Sequence, residues 1–185
     1  MVVFLNQMYG KNILTHRQAV SGGHVVLKKN NFIITEDINQ ENFRPFGDLI
    51  EKPLIGNRTN FIAKIQKTDQ VKNQSISVIS VELSKTPPYV DIFERHQHTS
   101  QAFFPLDVER YLIVVAPDLQ SKPDLEQIRA FIVPGTIGIS YYLGTWHSPL
   151  QVLDRSGTFA ILMYLFDSDL DQQWSKINKL LISVN

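Results

Sequence analysis

Tyr111-Leu112-Ile113-Val114-Val115-Ala116 is an uninterrupted apolar run in a chain of 185 residues. An apolar segment of this length predicts a strand that is buried on both faces. Phe159–Phe166 is the longest apolar run of the chain and predicts a central strand. Both segments indicate a protein built mainly from strands around a sizeable core.

Further strands follow the same pattern, with turns between them. Ser75–Leu83 is rich in Ile and Val and alternates in part with Ser, as strands do. Ala130–Val133 ends at the turn signal Pro134-Gly135, and Thr136–Tyr142 continues as a strand. Short strands separated by Gly and Pro turns predict a mainly β fold, a sandwich or barrel of the jelly-roll kind.

A short helix is predicted near the start of this region. Asp37 followed by Gln40 resembles a helix N-cap with its capping-box partner. Phe43 and Phe46 would face inward, and Gly47 would end the helix.

A second helix is predicted at the C-terminus. Its apolar residues fall at steps of four, three and four, which is one face of a helix; they are Leu170, Trp174, Ile177 and Leu181. We expect this helix to pack on the barrel, and the alternative is a helix that binds a partner.

Composition excludes several classes of function. Residues 1–35 carry four basic side chains and no acid, whereas the remaining 150 residues carry 14 basic and 18 acidic groups. A slightly acidic body without a basic stripe argues against nucleic-acid binding. The absence of cysteine excludes disulfides, thiolate metal sites and a cysteine nucleophile. No apolar run approaches the roughly 18 residues that span a bilayer.

The N-terminal region cannot be assigned to the domain by its pattern. Ser21-Gly22-Gly23 predicts a turn and Val25–Leu27 a short strand. We therefore divide the chain into an unassigned extension, 1–33, and one domain, 34–185. The acid-free start is also a property of transit peptides, and the alternatives are an added strand or a poorly ordered extension.

Two polar segments that contain histidine lie beside strongly apolar runs: Glu94–Pro105 and Gly144–Leu150. Residues that are costly to bury next to residues that must be buried usually mark a site. His96 and His98 would point the same way on a strand, as metal ligands can. With Gln101 and His147 they suggest a site for a hard metal ion, and the alternative is a surface loop with solvated imidazoles.

Other side chains in and near these segments allow two interpretations each. His147, before Ser-Pro, is a candidate general acid or base, or else caps a turn beside a core tryptophan. Arg95, between Glu94 and His96, is a candidate clamp for a carboxylate, or else part of an exposed charged turn. Lys64 interrupts an apolar segment, where it would bind an anion or bury its stem with the ammonium in water. No Ser/His/Asp motif, P-loop or dinucleotide signature is present.

Five segments resemble, in order, motifs of the ureidoglycolate lyase family. They are NFRPFGDLIE (42–51), ERHQHTSQAFFPL (94–106), YLIVVAP (111–117), KPDLEQIRAF (122–131) and GTWHSPL (144–150). The resemblance covers residues 34–167. It departs from the family pattern at Gln97, where the family usually has Pro, and at Tyr142, where it often has a second His. An Arg expected on the strand before Glu94 is not evident.

The resemblance implies a cupin-like double-stranded β-barrel, here with the short N-terminal helix and the C-terminal helix predicted above. It implies a carbon–nitrogen lyase that splits ureidoglycolate into glyoxylate and urea in allantoin and purine catabolism, and a homodimer. Metal dependence stays open between no cofactor and a divalent metal ion. We expect a cytoplasmic protein with a small-molecule substrate and neither nucleic acid nor membrane as partner.

The site residues are assigned on the resemblance and the chemistry that the reaction needs. We expect His96 and His147 to be the acid/base pair or, with Gln101, the metal ligands, while Gln101 would otherwise bind the carboxylate or urea. The further residues predicted to bind substrate are Ser100, Tyr141, Lys64 and Arg95. The alternative functions are another cupin enzyme, such as a metal-dependent oxygenase or isomerase, and a non-catalytic module that binds a small carboxylate.

Overall fold

The computed structural model describes residues 28–29, 32–60, 65–71, 73–166 and 171–184. The strands of the larger sheet in these residues are β1 (Lys28–Lys29), β2 (Phe32–Ile34), β3 (Glu36–Asp37), β6 (Tyr89–His96), β8 (Arg110–Ala116), β11 (Arg129–Pro134), β13 (Trp146–His147), β14 (Gln151–Val152) and β16 (Gln172–Ser183). Their order is β1-β2-β16-β6-β13-β8-β11-β3, with β14 paired to β8.

A smaller sheet faces the larger one. Its strands are β4 (Gly47–Glu51), β5 (Asn73–Val81), β7 (Gln101–Pro105), β12 (Ile137–Tyr141) and β15 (Gly157–Leu165). They are ordered β4-β12-β7-β15-β5. A hairpin of β9 (Asp118–Leu119) and β10 (Lys122–Pro123) stands apart from both sheets. The two facing sheets confirm the predicted cupin-like barrel.

The central strand β8 separates two hydrophobic cores. Tyr111, Ile113 and Val115 belong to the cluster between the sheets, together with side chains of the smaller sheet. Leu112 and Val114 belong to a second cluster on the other face of the larger sheet. All five side chains are fully buried. Because successive side chains of a strand point to opposite faces, a strand with a core on each side must be apolar throughout.

The predicted N-terminal helix is present, but its cap was assigned to the wrong residue. Helix α1 runs over Gln40–Phe43, and its N-cap is Asn39 rather than Asp37. The Asn39 side chain accepts a hydrogen bond from the Asn42 N–H, and the Asn42 side chain accepts one from the Asn39 N–H, each at 2.9 Å. Asn fulfils both capping-box roles here, so the pairing of Asp with Gln was misleading.

The end of the helix and the residues after it pack into the core between the sheets. Phe43 and Phe46 are buried in the core between the sheets, as predicted. Gly47 does not end the helix but begins β4. A Cβ atom at Gly47 would lie 2.2 Å from the carbonyl oxygen of Ser140 on β12, so the two strands approach each other too closely for a larger residue.

The predicted C-terminal helix is wrong, because residues 172–183 form the long strand β16. β16 pairs antiparallel with β6 and parallel with β2, and a bulge shifts its register between Lys176 and Leu180. The bulge brings both Ile177 and Leu180 onto the second core, while Trp174 is 52% exposed. The bulge in this strand therefore gives its apolar residues the spacing expected of a helix. The segment is a strand because it pairs with the backbone hydrogen-bonding groups along the edge of β6.

Two predictions concern the N-terminal region. The turn at 21–23 and the strand at 25–27 lie outside the described residues. The proposed boundary between 33 and 34 falls within β2, which pairs with β16. In the described part of the chain, no helix is long and apolar enough to cross a membrane.

The two-sided burial of β8 predicts a large cost for truncation. Ile113→Ala should lower the free energy of unfolding by about 2–5 kcal/mol, because it leaves a cavity between the sheets. Ile76→Ala is the matched control, since Ile76 on β5 is 74% exposed, and should cost less than about 1 kcal/mol. Urea denaturation measures both values, and equal losses would contradict this core.

Candidate functional site

Strand β6 delivers two polar side chains to the inside of the barrel. Glu94 and His96 are two residues apart and therefore point to the same face, while Arg95 between them points to the other. His96 is 3% exposed and Glu94 is half-buried. The alternation of a single strand thus sets a carboxylate and an imidazole side by side.

Strand β13 adds a second imidazole directly opposite. His147 is paired in register with Glu94, and its Nε2 lies 3.5 Å from Glu94 Oε1. Its Nδ1 donates to the backbone oxygen of Thr145 at 2.9 Å, which leaves the Nε2 lone pair facing inward when the ring is neutral. The Tyr141 ring of β12 stacks on His147 with ring centroids 4.2 Å apart.

His96 is anchored in a similar way but by a side chain. Its Nδ1 lies 2.9 Å from Oδ2 of Asp171, the residue before β16. The ring faces His147 with the centroids 6.0 Å apart. Both imidazoles are therefore held through Nδ1 and present Nε2 to the same space.

Four buried side-chain atoms lack a hydrogen-bond partner among the described residues. They are His96 Nε2, Gln101 Oε1, Tyr141 OH and His147 Nε2. Gln101 on β7 turns its amide nitrogen toward the sulfur of Met163 at 3.7 Å, which leaves its oxygen unpaired. Buried polar atoms are nearly always paired, so this concentration at one end of the barrel indicates a place for a ligand.

The cluster fits a divalent cation. The ligand atoms of Glu94, His96 and His147 all lie within 4.8 Å of one another. One carboxylate and two imidazoles are a donor set that binds zinc and related divalent ions. The unpaired Gln101 oxygen agrees with a cation as well, since it offers only a lone pair. The predicted metal set of His96, Gln101 and His147 did not include Glu94, which the geometry adds.

The Glu94 carboxyl is ionised at neutral pH. Its burial would raise the pKa, but the contact with His147 at 3.5 Å and the electrostatic interactions with His147 and His96 outweigh burial and hold the pKa below its ordinary value. The site therefore contains one negative charge between two imidazoles, which favours a proton or a cation there.

Two residues singled out in the sequence lie elsewhere. His98 follows the end of β6, stacks on Phe166 at 4.5 Å and bonds to Thr68, so the alternation that would have paired it with His96 stops before it. Arg95 lies on the other face of the sheet, where it forms a salt bridge with Asp118.

Arg95 also stacks on Trp146 with 4.6 Å between its guanidinium carbon and the ring. The structure therefore does not bring Arg95 to the histidine cluster, because strand alternation turns it to the other face of the sheet.

The other predicted binding residues differ in position. Tyr141 is stacked on the site as described. The Ser100 hydroxyl is buried and accepts a hydrogen bond from the Gln66 N–H at 2.8 Å. This bond connects two segments of the protein. Lys64 lies outside the described residues.

Sequence reasoning missed two members of the site. Glu94 was named only as the neighbour of Arg95 in a candidate carboxylate clamp, although strand alternation with His96 could have found it. Asp171 carried no local signal, since it is 75 positions from His96 and precedes a segment predicted to be helical.

A small cavity reaches this cluster. It measures about 170 Å³ and is bordered by His96, Asp171 and Met163, together with residues 164–166 and Gln172. A larger cavity of about 270 Å³ is lined by residues such as Tyr89 and contains none of the cluster among the described residues. We place the approach to the site at the smaller cavity, because His96, a member of the cluster, borders it.

Three comparisons with known proteins show what this chain is similar to. Residues 30–181 match the family model described as ureidoglycolate lyase. The chain is 34% identical over 139 residues to a ureidoglycolate lyase of Pseudomonas savastanoi pv. phaseolicola, covering 70% of this chain and 81% of that protein. It is 36% identical over 137 residues to a ureidoglycolate lyase of Burkholderia cepacia, covering 69% and 76%. A solved structure of a dTDP-6-deoxy-D-glucose-3,5-epimerase from Legionella pneumophila Philadelphia 1 superposes with a TM-score of 0.45 and 14% identity, over 81% and 86% of the two chains.

The charge of Glu94 predicts an effect on acid stability. Because its pKa is lower in the folded protein, its ionised form stabilises the fold above about pH 4.3, the ordinary pKa of glutamate, and this contribution disappears as the pH falls through the folded pKa. Glu94→Gln should therefore lose less unfolding free energy than the parent between about pH 5 and pH 3. Urea titrations measure this loss, with Glu51→Gln as a control for removal of an exposed carboxylate. Identical acid slopes for parent and Glu94→Gln would contradict the prediction.

Proposed function

The chain belongs to the ureidoglycolate lyase family, and we propose that it splits ureidoglycolate into glyoxylate and urea at the cluster of Glu94, His96 and His147. The observation that carries the proposal is the convergence of unpaired, buried, proton-accepting atoms at one end of the barrel. The small cavity beside His96 is consistent with a small substrate.

The reaction is an elimination from a carbinolamide that bears a carboxylate. The hydroxyl loses its proton, its C–O bond becomes the aldehyde C=O, and the C–N bond breaks with its electron pair going to nitrogen. That nitrogen gains a proton and leaves as urea. The protein must therefore supply a base, an acid and a group that holds the carboxylate.

We assign the base to His147. Its Nδ1 proton is engaged by the Thr145 carbonyl, so the neutral ring offers Nε2 to the substrate hydroxyl. The Glu94 carboxylate, 3.5 Å away, stabilises the positive charge that the ring acquires with the proton.

We assign the acid to His96. In its protonated form it would donate from Nε2 to the departing nitrogen, while Asp171 holds the ring through Nδ1. The Nε2 sides of the two rings lie close together, with the ligand atoms of the cluster within 4.8 Å of one another, so they could act on neighbouring atoms of one small molecule.

Tyr141 and Gln101 would orient the substrate. Burial raises the pKa of the Tyr141 hydroxyl well above its ordinary value, so it stays protonated and can donate a hydrogen bond to a carboxylate or urea oxygen. The unpaired Gln101 oxygen would accept from an N–H of the ureido group. Lys64 stays a prediction for the neutralisation of the carboxylate.

A divalent cation is the alternative occupant of the same three side chains. If bound by Glu94, His96 and His147, it supplies Lewis-acid stabilisation of the negative charge that develops during C–N cleavage. The donor types suit such an ion, and Tyr141 would then remain the hydrogen-bond donor beside it.

We also propose the homodimer and the cytoplasmic location expected from the sequence. The family resemblance supports the dimer. The balanced charge, with 18 basic and 18 acidic side chains, supports the absence of a nucleic-acid partner.

The two histidines should be essential for activity and dispensable for folding. His96→Ala and His147→Ala should each lower turnover by about a hundred- to ten-thousand-fold, the usual cost of losing a proton-transfer group. Glyoxylate release from racemic ureidoglycolate measures turnover, and circular dichroism measures the fold.

His98→Ala is the matched control for these variants, because it removes the other histidine of the same segment, whose ring stacks on Phe166. It should keep turnover within about threefold of the parent. An active His147→Ala, or a His98→Ala as impaired as His96→Ala, would overturn the assignment.

Cation binding should depend on Glu94. We expect calorimetric titration of the chelator-treated protein with Zn²⁺ or Mn²⁺ to show one site per chain, and Glu94→Gln to weaken it at least tenfold, because a charged ligand is lost. Glu51→Gln, on the exposed end of β4, should bind like the parent. If the parent binds neither ion while retaining lyase activity, the acid/base form of the site stands and the metal form fails.

A further inference from the structure

We propose that Asp171 is the positioning residue of His96: it holds the ring through Nδ1 and fixes the tautomer of the neutral ring, with the proton on Nδ1 and the lone pair on Nε2. The inference deepens the proposed function and rests on it for its catalytic consequence. Its structural part concerns one proton on one ring and can be tested without any activity.

The Asp171 carboxylate is held firmly enough to select a tautomer. Its side chain is 7% exposed, and it accepts three hydrogen bonds. Oδ1 accepts the His98 N–H at 2.7 Å, and Oδ2 accepts the Thr99 hydroxyl at 3.0 Å in addition to facing His96 Nδ1 at 2.9 Å. The Asp171 carbonyl also accepts the Gln97 N–H at 3.0 Å. Residues 97–99 therefore fix the carboxylate in one orientation.

The proton in the bond between Asp171 and His96 belongs to the imidazole. Both oxygens of the Asp171 carboxyl accept from other donors as well, Oδ1 from the His98 N–H at 2.7 Å and Oδ2 from the Thr99 hydroxyl at 3.0 Å, as an ionised carboxylate does. An ionised carboxylate can only accept, so the ring must donate from Nδ1.

No other described group decides where the proton of His96 lies. Its Nε2 has no hydrogen-bond partner among the described residues, so nothing there would stop the proton from moving to that nitrogen. His147 differs, because its Nδ1 bonds to the main-chain oxygen of Thr145, which a side-chain substitution leaves in place. The tautomer of His96 is thus open to substitution at Asp171, and that of His147 is not.

Asp171→Asn should reverse the tautomer with little change of shape. The amide oxygen is drawn to the His98 N–H, which places the NH₂ group against His96 Nδ1. Nδ1 must then accept, and the ring proton moves to Nε2. As a metal ligand His96 would then lack its inward lone pair, and as the acid it would lack the carboxylate that stabilises its protonated form.

The test combines a spectroscopic and a kinetic measurement on the chelator-treated full chain. Imidazole ¹⁵N NMR at high pH should show His96 protonated on Nδ1 in the parent and on Nε2 in Asp171→Asn, with the His147 signals unchanged. The variant's kcat should fall by about a hundred- to ten-thousand-fold, with KM changed less than about threefold, because Asp171 acts through His96.

Asp124→Asn is the matched control. Asp124 is another buried aspartate whose carboxylate accepts hydrogen bonds in a turn, from the Glu126 N–H and Gln127 Nε2, each at 2.9 Å. Its variant should leave both the His96 signals and kcat as in the parent. A similar loss of kcat in both variants would mean that Asp171 acts only through stability, and would overturn the proposal.

The outcomes separate the two proposals. A parent that shows the His96 tautomer and its reversal but no lyase activity would defeat the proposed function and leave the positioning role intact. A parent whose neutral His96 is protonated on Nε2 overturns the inference by itself, even if Asp171→Asn fails to fold. Lyase activity with an unchanged kcat in a folded Asp171→Asn overturns the inference and leaves the proposed function standing.

Discussion

One end of this barrel buries a cluster of polar atoms, most of which can present a lone pair. The Nε2 atoms of His96 and His147 and the Gln101 oxygen have no hydrogen-bond partner among the described residues, and the Glu94 carboxylate lies 3.5 Å from His147 Nε2. An unpaired buried polar group costs about 1–3 kcal/mol. A fold carries several such groups together only when something with protons or positive charge completes them. The hydroxyl and N–H groups of ureidoglycolate, and a divalent cation, both meet that requirement.

The barrel assembles this cluster from four strands of two sheets. β6 and β13 supply the carboxylate and both imidazoles, and β7 and β12 of the facing sheet supply Gln101 and Tyr141. In each strand the residues before and after an inward-pointing side chain point to the opposite face of the sheet. A shift of one residue in the pairing register would therefore replace His96 by Arg95 inside the barrel. The second core opposes such a shift, because it buries Phe93 of β6 and Trp146 of β13, the neighbours of Glu94 and His147. The stability of the barrel and the chemistry of the site thus depend on the same alternation.

The parts of this structure that could be predicted from sequence are those with a local cause. The two-faced strand β8, the turn at Pro134-Gly135 and the burial of Phe43 follow from apolar pattern and turn chemistry. The convergence of His96 and His147 was predicted through a family resemblance rather than by spacing, because 51 residues separate them. Arg95 was misplaced since a charged motif does not reveal which face of a strand each residue occupies.

The error at the C-terminus and the omission of Asp171 have one cause. When residues 172–183 form a strand, Gln172 pairs in register with His96. The residue before it, Asp171, then lies beside His96 Nδ1. A helix over the same residues would pair with no strand, and no carboxylate would reach the ring by this route. The apolar residues of the segment satisfy the spacing of a helix, but the open edge of β6 offers hydrogen bonds that only a strand can take up. The pairing of β16 with β6, which overrode the local helical signal, is therefore also the pairing that places Asp171 against the imidazole of His96. The site is complete only after this last strand has joined the sheet.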